Sequence, residues 1–386
     1  MPVGAVTPPP AADAPSPPPP EHRALRRLGN VDALSGLRGL AVVAVLYHHL
    51  PTDHGPRAYG AVGVCAFFAL SGFLIAALLM KEWDRTGTIT ASEFYRRRVV
   101  RLLPALVVFL PVVLIWCAVL GFDETREALF TTLWVSNWAR INDEPMGVLA
   151  HTWTLAIEAQ FYVFAPLLFL ASVRGRFANR PWVLPALLAA LVAAWRASLW
   201  LFAGRLVHWA DGGLLIYVTR ATDTRLDAIL AGVALAFVFT RTRLVVPGWA
   251  AVSAFGVLIA MGTMDPEGDA MITVGFVAAI LCASVIILHL VTDQSPLSRL
   301  LSWRPLVYLG LISYALYLWH LPVYKLLYRQ LDGWPWGLVA AIAVTLSLAL
   351  ASLSYRFVER PFLGHRRAAA PNPSAVPSGE ARTVAS

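Results

Sequence analysis

The sequence predicts an all-α integral membrane protein, with about ten transmembrane helices and one short re-entrant or interfacial helix. Three observations carry that prediction. Of the 386 residues, 58% are apolar and only 14% are charged. The apolar residues gather in blocks of roughly 15 to 24, long enough to cross a ~30 Å hydrocarbon layer at ~1.5 Å per residue. The net charge of +8 collects between the blocks, as in the cytoplasmic loops of a membrane protein. It forms no continuous basic stripe, so a nucleic-acid partner is not expected.

The blocks fall near 36–50, 60–80, 99–120, 128–139, 150–172, 182–203, 224–240, 245–263, 271–292, 305–328 and 336–358. Placing the N-terminus in the cytoplasm, with Arg23, Arg26 and Arg27, lets charge judge them. The second block then returns the chain to the basic segment from Lys81 to Arg101, and the third exits to the acidic "GFDETRE". If 128–139 crosses fully, the loop with Arg174, Arg176 and Arg180 lands outside and every later loop is inverted. If it is re-entrant or interfacial, that loop is cytoplasmic. So are Arg241 and Arg243, Arg299 and Arg304, and Arg360, Arg366 and Arg367, while "MDPEGD" and "QLDGWPW" face out. The mixed loop 204–223 favours neither. Only the second choice obeys the charges, and a block of about 12 residues with Trp134 and Trp138 is short for a span. Ten spans with both ends cytoplasmic follow, in a bacterial-type cytoplasmic (inner) membrane.

Flanking segments read differently. Residues 1–30 are proline-rich, unsuited to helix or burial, and are expected to be a disordered cytoplasmic tail. No apolar stretch follows an early basic one there, so the order of a signal peptide is missing. Residues 31–363 form the membrane domain, and 364–386 a second loose tail. Cys65, Cys117 and Cys282 all lie inside apolar blocks and read as small core residues.

The ionisable residues within the blocks are the informative ones. Arg38 alone is compatible with snorkelling from a helix end. His49, however, follows it by eleven residues, so the two point within about 20° of one face at about 16 Å separation, and His48 points about 80° away. Intramembrane ionisable groups usually face a cavity; a cationic entrance with a titratable base further in is the pattern here. "FYRRRVVRLLP" places Arg96, Arg97, Arg98 and Arg101 at the start of the third span. They serve as a topogenic cluster or as guanidiniums for a phosphate-bearing cofactor. "HTWTLAIEAQFYVFAPLL" brings Trp153, Glu158, Gln160 and Tyr162 after His151, and a carboxylate such as Glu158 is costly against lipid. Arg225 and Asp227 open the block 224–240, with a mutual ion pair as the plain alternative. "SYALYLWHLPVY" supplies Ser313, Tyr314, Tyr317 and a mid-helix His320. No P-loop, dinucleotide fingerprint, HExxH metal site or internal repeat is present.

With these residues in view, the chain resembles the acyltransferase 3 family of integral-membrane O-acyltransferases, over most of residues 31–363. The resemblance rests on the Arg38/His49 pair, "FFALSGFLI" (67–75, including Ser71), "RRVVRLLP", "HTWTLAIEAQFY", "RLDAILAG", "SYALYLWHLP" and the terminal "ERPF". One departure stands out. The family often has two adjacent glutamates before "QFY", whereas here the second is Ala159, which leaves any carboxylate role to Glu158. By length, the extra esterase-type domain that some relatives carry is not expected here.

The resemblance implies transfer of an acyl group, most often acetyl, from acyl-CoA to a hydroxyl of a surface polysaccharide, glycolipid or other sugar-bearing acceptor, with no metal. A macrolide or another secondary metabolite is the alternative acceptor. On this reading Arg97, Arg98 and Arg101, with Arg38, hold CoA phosphates. His49 is the general base or a transient acyl carrier, and Glu158 fixes the imidazole or binds the acceptor. Ser71, Trp153, Tyr162, Asp227, Tyr314 and His320 are the expected acceptor-binding residues. A transporter is the rival from another class, but it usually shows internal repeats and matching broken helices.

The charge argument predicts that reporters inserted at Gly175 and Gly268 read opposite sides of the membrane. Finding both on one side overturns the ten-span arrangement.

Overall fold

The computed structural model describes residues 32–50, 58–203, 212–242 and 244–362. The two expected tails (1–30 and 364–386), Arg243 and residues 204–211 of the mixed loop lie outside the described residues. Among the described residues the chain is helical throughout. α1 (Asp32–His49), α2 (Tyr59–Thr86) and α3 (Ala91–Val119) come first, followed by the short α4 (Thr125–Thr132) and α5 (Ser136–Ile141). A 3-10 turn (Gly147–Thr152) leads into α6 (Trp153–Val173), and α7 is Val183–Ser198. Next come α8 (Gly213–Arg220), α9 (Thr222–Arg225), α10 (Asp227–Arg241) and α11 (Gly248–Gly262). α12 (Phe276–Thr292), α13 (Pro296–Leu301), α14 (Arg304–Leu311), α15 (Ser313–Gln330) and α16 (Trp336–Ser354) complete the chain.

Among the described residues six helical segments are long and apolar enough to cross a membrane: Tyr59–Thr86, Ala91–Val119, Gly147–Val173, Val183–Ala203, Met271–Thr292 and Trp336–Phe362. α14 and α15 make a seventh if the pair, bent by 73°, is taken as one span. The protein is thus a multi-pass membrane protein. The difference from ten lies in particular helices. α1 carries Asp32, Arg38, His48 and His49, which lower its hydropathy, and α10 and α11 have 15 residues each, about 22 Å of helix. Outward-facing Val107, Val112 and Ile115 on α3 and Leu187 and Leu191 on α7 are exposed, as a surface solvated by lipid tails requires.

The block 128–139 is not one helix. Trp134 adopts φ 57° between α4 and α5, a conformation that a bulky residue rarely accepts. Gln160 on α6 holds this break in place. Its Nε2 donates to Trp134 O (2.8 Å) and to Asn137 Oδ1 (3.0 Å), while its Oε1 accepts from Thr222 Oγ1 at 2.5 Å. The polar Gln160 is therefore a staple between α6, the α4–α5 break and α9.

Two close helix crossings position the site. At the first, α1 packs on α14: a Cβ at Gly310 would stand 1.8 Å from Ser35 O, and one at Gly39 would stand 2.3 Å from Leu306 O. This brings Arg38 and His49 against the bent pair carrying Tyr314, Tyr317 and His320. At the second, α2 packs on α10, where a Cβ at Gly72 would lie 1.9 Å from Ile229 O and one at Gly232 2.0 Å from Ala69 O. Small residues let backbones approach this closely where lipid offers no hydrophobic drive between helices.

Gly232→Ala is therefore expected to destabilise the detergent-solubilised protein by about 1–3 kcal/mol, the usual range for overpacking. Gly337→Ala, where a Cβ meets nothing within 4 Å, should be neutral or stabilising. Equal thermal midpoints for the two variants would contradict the close-crossing account.

Candidate active site

The site is built from helical repeats that turn one face of each helix inward. On α6 and the turn before it, His151, Thr154, Glu158 and Tyr162 recur at three- and four-residue intervals. On α15 the same spacing gives Ser313, Tyr317, His320 and Tyr324. α1 contributes Arg38 and His49, and α2 contributes Ser71.

Four of the expected residues line one cavity: Arg38, Ser71, Glu158 and Tyr314, joined by Phe67, Phe68, Thr154 and Tyr317. Its interior space is about 50 Å³, enough for one or two waters. Glu158 Oε1 accepts from Ser71 Oγ and from Tyr162 OH, both at 2.5 Å. Arg38 and Arg98 lie within electrostatic reach of Glu158 and Tyr162, and Arg101 within reach of Tyr162. The Arg98 guanidinium sits 5.5 Å from the Tyr162 ring centre and 5.6 Å from that of Phe94, in cation–π range. Nε of both Arg38 and Arg98 is buried without a hydrogen-bond partner. The arginine group therefore has donors to spare. Tyr314 OH donates to Leu102 O at 2.9 Å, tying the cavity wall to α3.

His49 and His320 form a second layer, reached through Tyr317. Thr154 Oγ1 donates to Tyr317 OH (2.7 Å), which donates to His151 O (3.0 Å). The rings of Tyr317 and His320 are 5.4 Å apart, and those of His320 and His49 are 5.0 Å apart. His49 Nδ1 lies 3.3 Å from His320 Nε2 and 3.0 Å from Val45 O. His48 packs edge-on to His49 at 4.9 Å, and His151 to His320 at 5.1 Å. Among the described residues no group of His, Cys, Asp and Glu is arranged to hold a metal ion.

Three expected residues are drawn elsewhere. Arg97 forms an ion pair with Glu82, and the other Glu82 oxygen accepts the Thr90 backbone N–H at 2.7 Å. Arg97 thus braces the α2–α3 turn. Asp227, 2% exposed, pairs with the buried Arg196 at 2.5 Å. The plain alternative of an Arg225–Asp227 pair gives way as well, because the Arg225 guanidinium lies 3.8 Å from the Phe276 ring centre. Arg196 reaches Asp227 from α7, 31 residues earlier, a pairing that no local spacing signals. Trp153 opens α6 half-buried against the core, outside the cavity lining.

His151, Thr154 and Tyr317 are the structural links that the sequence reading did not place in the site, although their helical spacing to Glu158 and His320 signals them. The turn carrying His151 is fixed from outside. Gly147 has φ 39° beside the Glu124 carboxylate, and Lys325 Nζ donates to Gly147 O at 2.6 Å. Burial pushes the Glu124 carboxyl above the usual carboxylate range, and the Val148 N–H that it accepts partly offsets this.

The apolar helices thus surround buried arginine, glutamate and histidine side chains. The chain belongs to the acyltransferase 3 family: the family model, described as an acyltransferase domain, matches residues 31–356. It is 32% identical over 351 residues to O-acetyltransferase OatA of Staphylococcus aureus (strain NCTC 8325 / PS 47), covering 85% of this chain and 56% of that one. It is 30% identical over 362 residues to a provisionally named O-acetyltransferase of Staphylococcus aureus (strain COL), covering 87% of this chain and 58% of the relative. The chain thus spans less than two thirds of the length of these relatives. No solved structure matches it.

Proposed function

We propose that this protein is a membrane O-acyltransferase that moves an acyl group, acetyl foremost, from acyl-CoA to a hydroxyl of a surface polysaccharide, glycolipid or other sugar-bearing acceptor. The observation that carries the reading is the cavity of Arg38, Ser71 and Glu158, joined through Tyr317 to the His49–His320 layer. The membership of an acyltransferase family and the names of the relatives support the reaction class. We place the protein in a cytoplasmic membrane with ten spans, α1, α10 and α11 among them, and both termini inside.

Arg98 and Arg101, at the level of Arg38, hold the CoA phosphates. The cavity, with room for one or two waters, takes at most the acyl end of the donor, and the bulky nucleotide stays at the arginines. Guanidiniums suit phosphate because they present several donors in a fixed fork, and the unpartnered Nε groups of Arg38 and Arg98 point to an anionic partner. The acceptor hydroxyl meets the thioester near His49. His49 takes up the hydroxyl proton, or carries the acyl group transiently. Glu158, fixed by Ser71 and Tyr162, keeps the Arg38 charge balanced and orients the entering chain. Tyr314 and Tyr317 offer ring faces for a sugar.

Because Arg97 is occupied by Glu82 and Arg98 is not so paired, the two arginines should separate. Arg98→Ala is expected to raise KM for acetyl-CoA about tenfold with a smaller fall in kcat, the mark of lost ground-state binding. Arg97→Ala should mainly lower thermal stability. Normal KM in the Arg98 variant removes its cofactor role.

General-base help is worth about 10²–10⁴ in rate, so His49→Ala and His49→Gln should lose at least about 100-fold in labelled acetyl transfer from acetyl-CoA to membranes of the producing cells, per folded protein. His48→Ala should keep a substantial part of the activity. Normal transfer by both His49 variants sinks the assignment.

A further inference from the structure

His320 is not paired with a carboxylate among the described residues. It is fully buried and faces imidazole and phenol rings on every side: His49, His151, Tyr317 and Tyr324. A histidine buried at membrane depth is costly unless its polar atoms have a use. The hydrogen bonds define that use, because carbonyl oxygens only accept.

His320 Nδ1 lies 2.7 Å from Tyr317 O, so that nitrogen carries the proton and Nε2 of the neutral ring carries the lone pair. His49 Nδ1 lies 3.0 Å from Val45 O, so it too carries the proton. That N–H also faces His320 Nε2 at 3.3 Å, making a three-centre bond. Val45 O already accepts the His49 backbone N–H within α1, as the i→i−4 helix ladder requires. His320 is thus the acceptor that reaches His49 from another helix. His151 does not compete for this contact. Its Nε2 donates to Leu318 O at 3.1 Å, and its Nδ1 has no partner.

Resting on the reading of His49 as the base, we infer that His320 is its positioning residue: His320 Nε2 accepts the Nδ1–H of His49, which leaves His49 Nε2 as the nitrogen that receives the acceptor's proton. In the transfer step, His49 Nε2 takes the hydroxyl proton while that oxygen bonds to the acyl carbonyl carbon. The C–S bond then breaks, CoA leaves as thiolate, and the proton on His49 returns to it as the thiol. While His49 is an imidazolium, its Nδ1–H bond to His320 strengthens, so the stabilisation is greatest when charge is present. A second imidazole thus holds the position that a carboxylate holds in hydrolase triads. His320 touches His49, not the substrate. This differs from the acceptor-binding role expected from the sequence.

The test uses the full-length protein in lipid nanodiscs, with acetyl-CoA as donor and water or methyl glucoside as acceptor, scoring released CoA. His320→Phe should lower kcat about 10- to 100-fold with both KM values unchanged within about threefold. His320→Gln, whose amide oxygen can accept the same N–H, should recover part of the loss. In a His49→Ala background, His320→Phe should add little, because coupled residues are not additive. Nitrogen NMR of ¹⁵N-histidine-labelled protein should show His49 protonated at Nδ1, a readout that needs no turnover and no variant. An unprotonated Nδ1 at His49 overturns the inference. So does a normal kcat, or a rise confined to the methyl glucoside KM, in folded His320→Phe while His49→Ala is inactive. Full activity of His49→Ala overturns the base reading itself and is told apart by that variant alone.

Discussion

A carboxylate at membrane depth has to be satisfied by protein, and much of the site's arrangement follows from Glu158. Its Oε1 gathers Ser71 from α2 and Tyr162 from its own helix, while the charges of Arg38 and Arg98 face it, with Arg101 close to both arginines. Removing the carboxylate would leave three guanidiniums close together in a medium that screens them poorly. Glu158 therefore permits a concentration of positive charge that the bilayer would otherwise reject. This answers why α1 accepts Arg38: the residue faces a polar cavity.

The glycine crossings serve the same end by other means. Ser71 reaches Glu158 from α2, whose neighbouring Gly72 lies against the α10 backbone, and His49 reaches His320 from α1, which is seated on α14 through Gly39 and Gly310. Both crossings are close backbone contacts. Rigid apolar packing places the helices, and the polar residues then find one another across them. Arg97–Glu82 and Arg196–Asp227 are polar pairs of another kind, which fasten helices away from the cavity.

Much of this was legible in the sequence, for reasons that particular residues show. Arg38 and His49 share a face because eleven residues make three turns, and the spacings of Glu158 to Tyr162 and of Ser313 to His320 mark inward faces in the same way. What local spacing does not carry is which inward faces meet. Asp227 pairs with Arg196, not with the nearby Arg225, because α7 and α10 pack together. Arg97 and Arg98 are neighbours in sequence, yet 100° of helical rotation sends one to Glu82 and the other to Tyr162. The break at Trp134 and the bend between α14 and α15 also escape a count of apolar blocks, because each falls inside one continuous apolar block.

The central claim is that this constellation cleaves a thioester and passes the acyl group to a hydroxyl. The most direct measurement incubates the purified wild-type chain in nanodiscs with acetyl-labelled acetyl-CoA and envelope fractions of the producing cell. The account predicts release of CoA and recovery of the label as an alkali-labile ester on envelope material. An intact thioester, together with protein-dependent movement of a solute across sealed proteoliposomes, would contradict it.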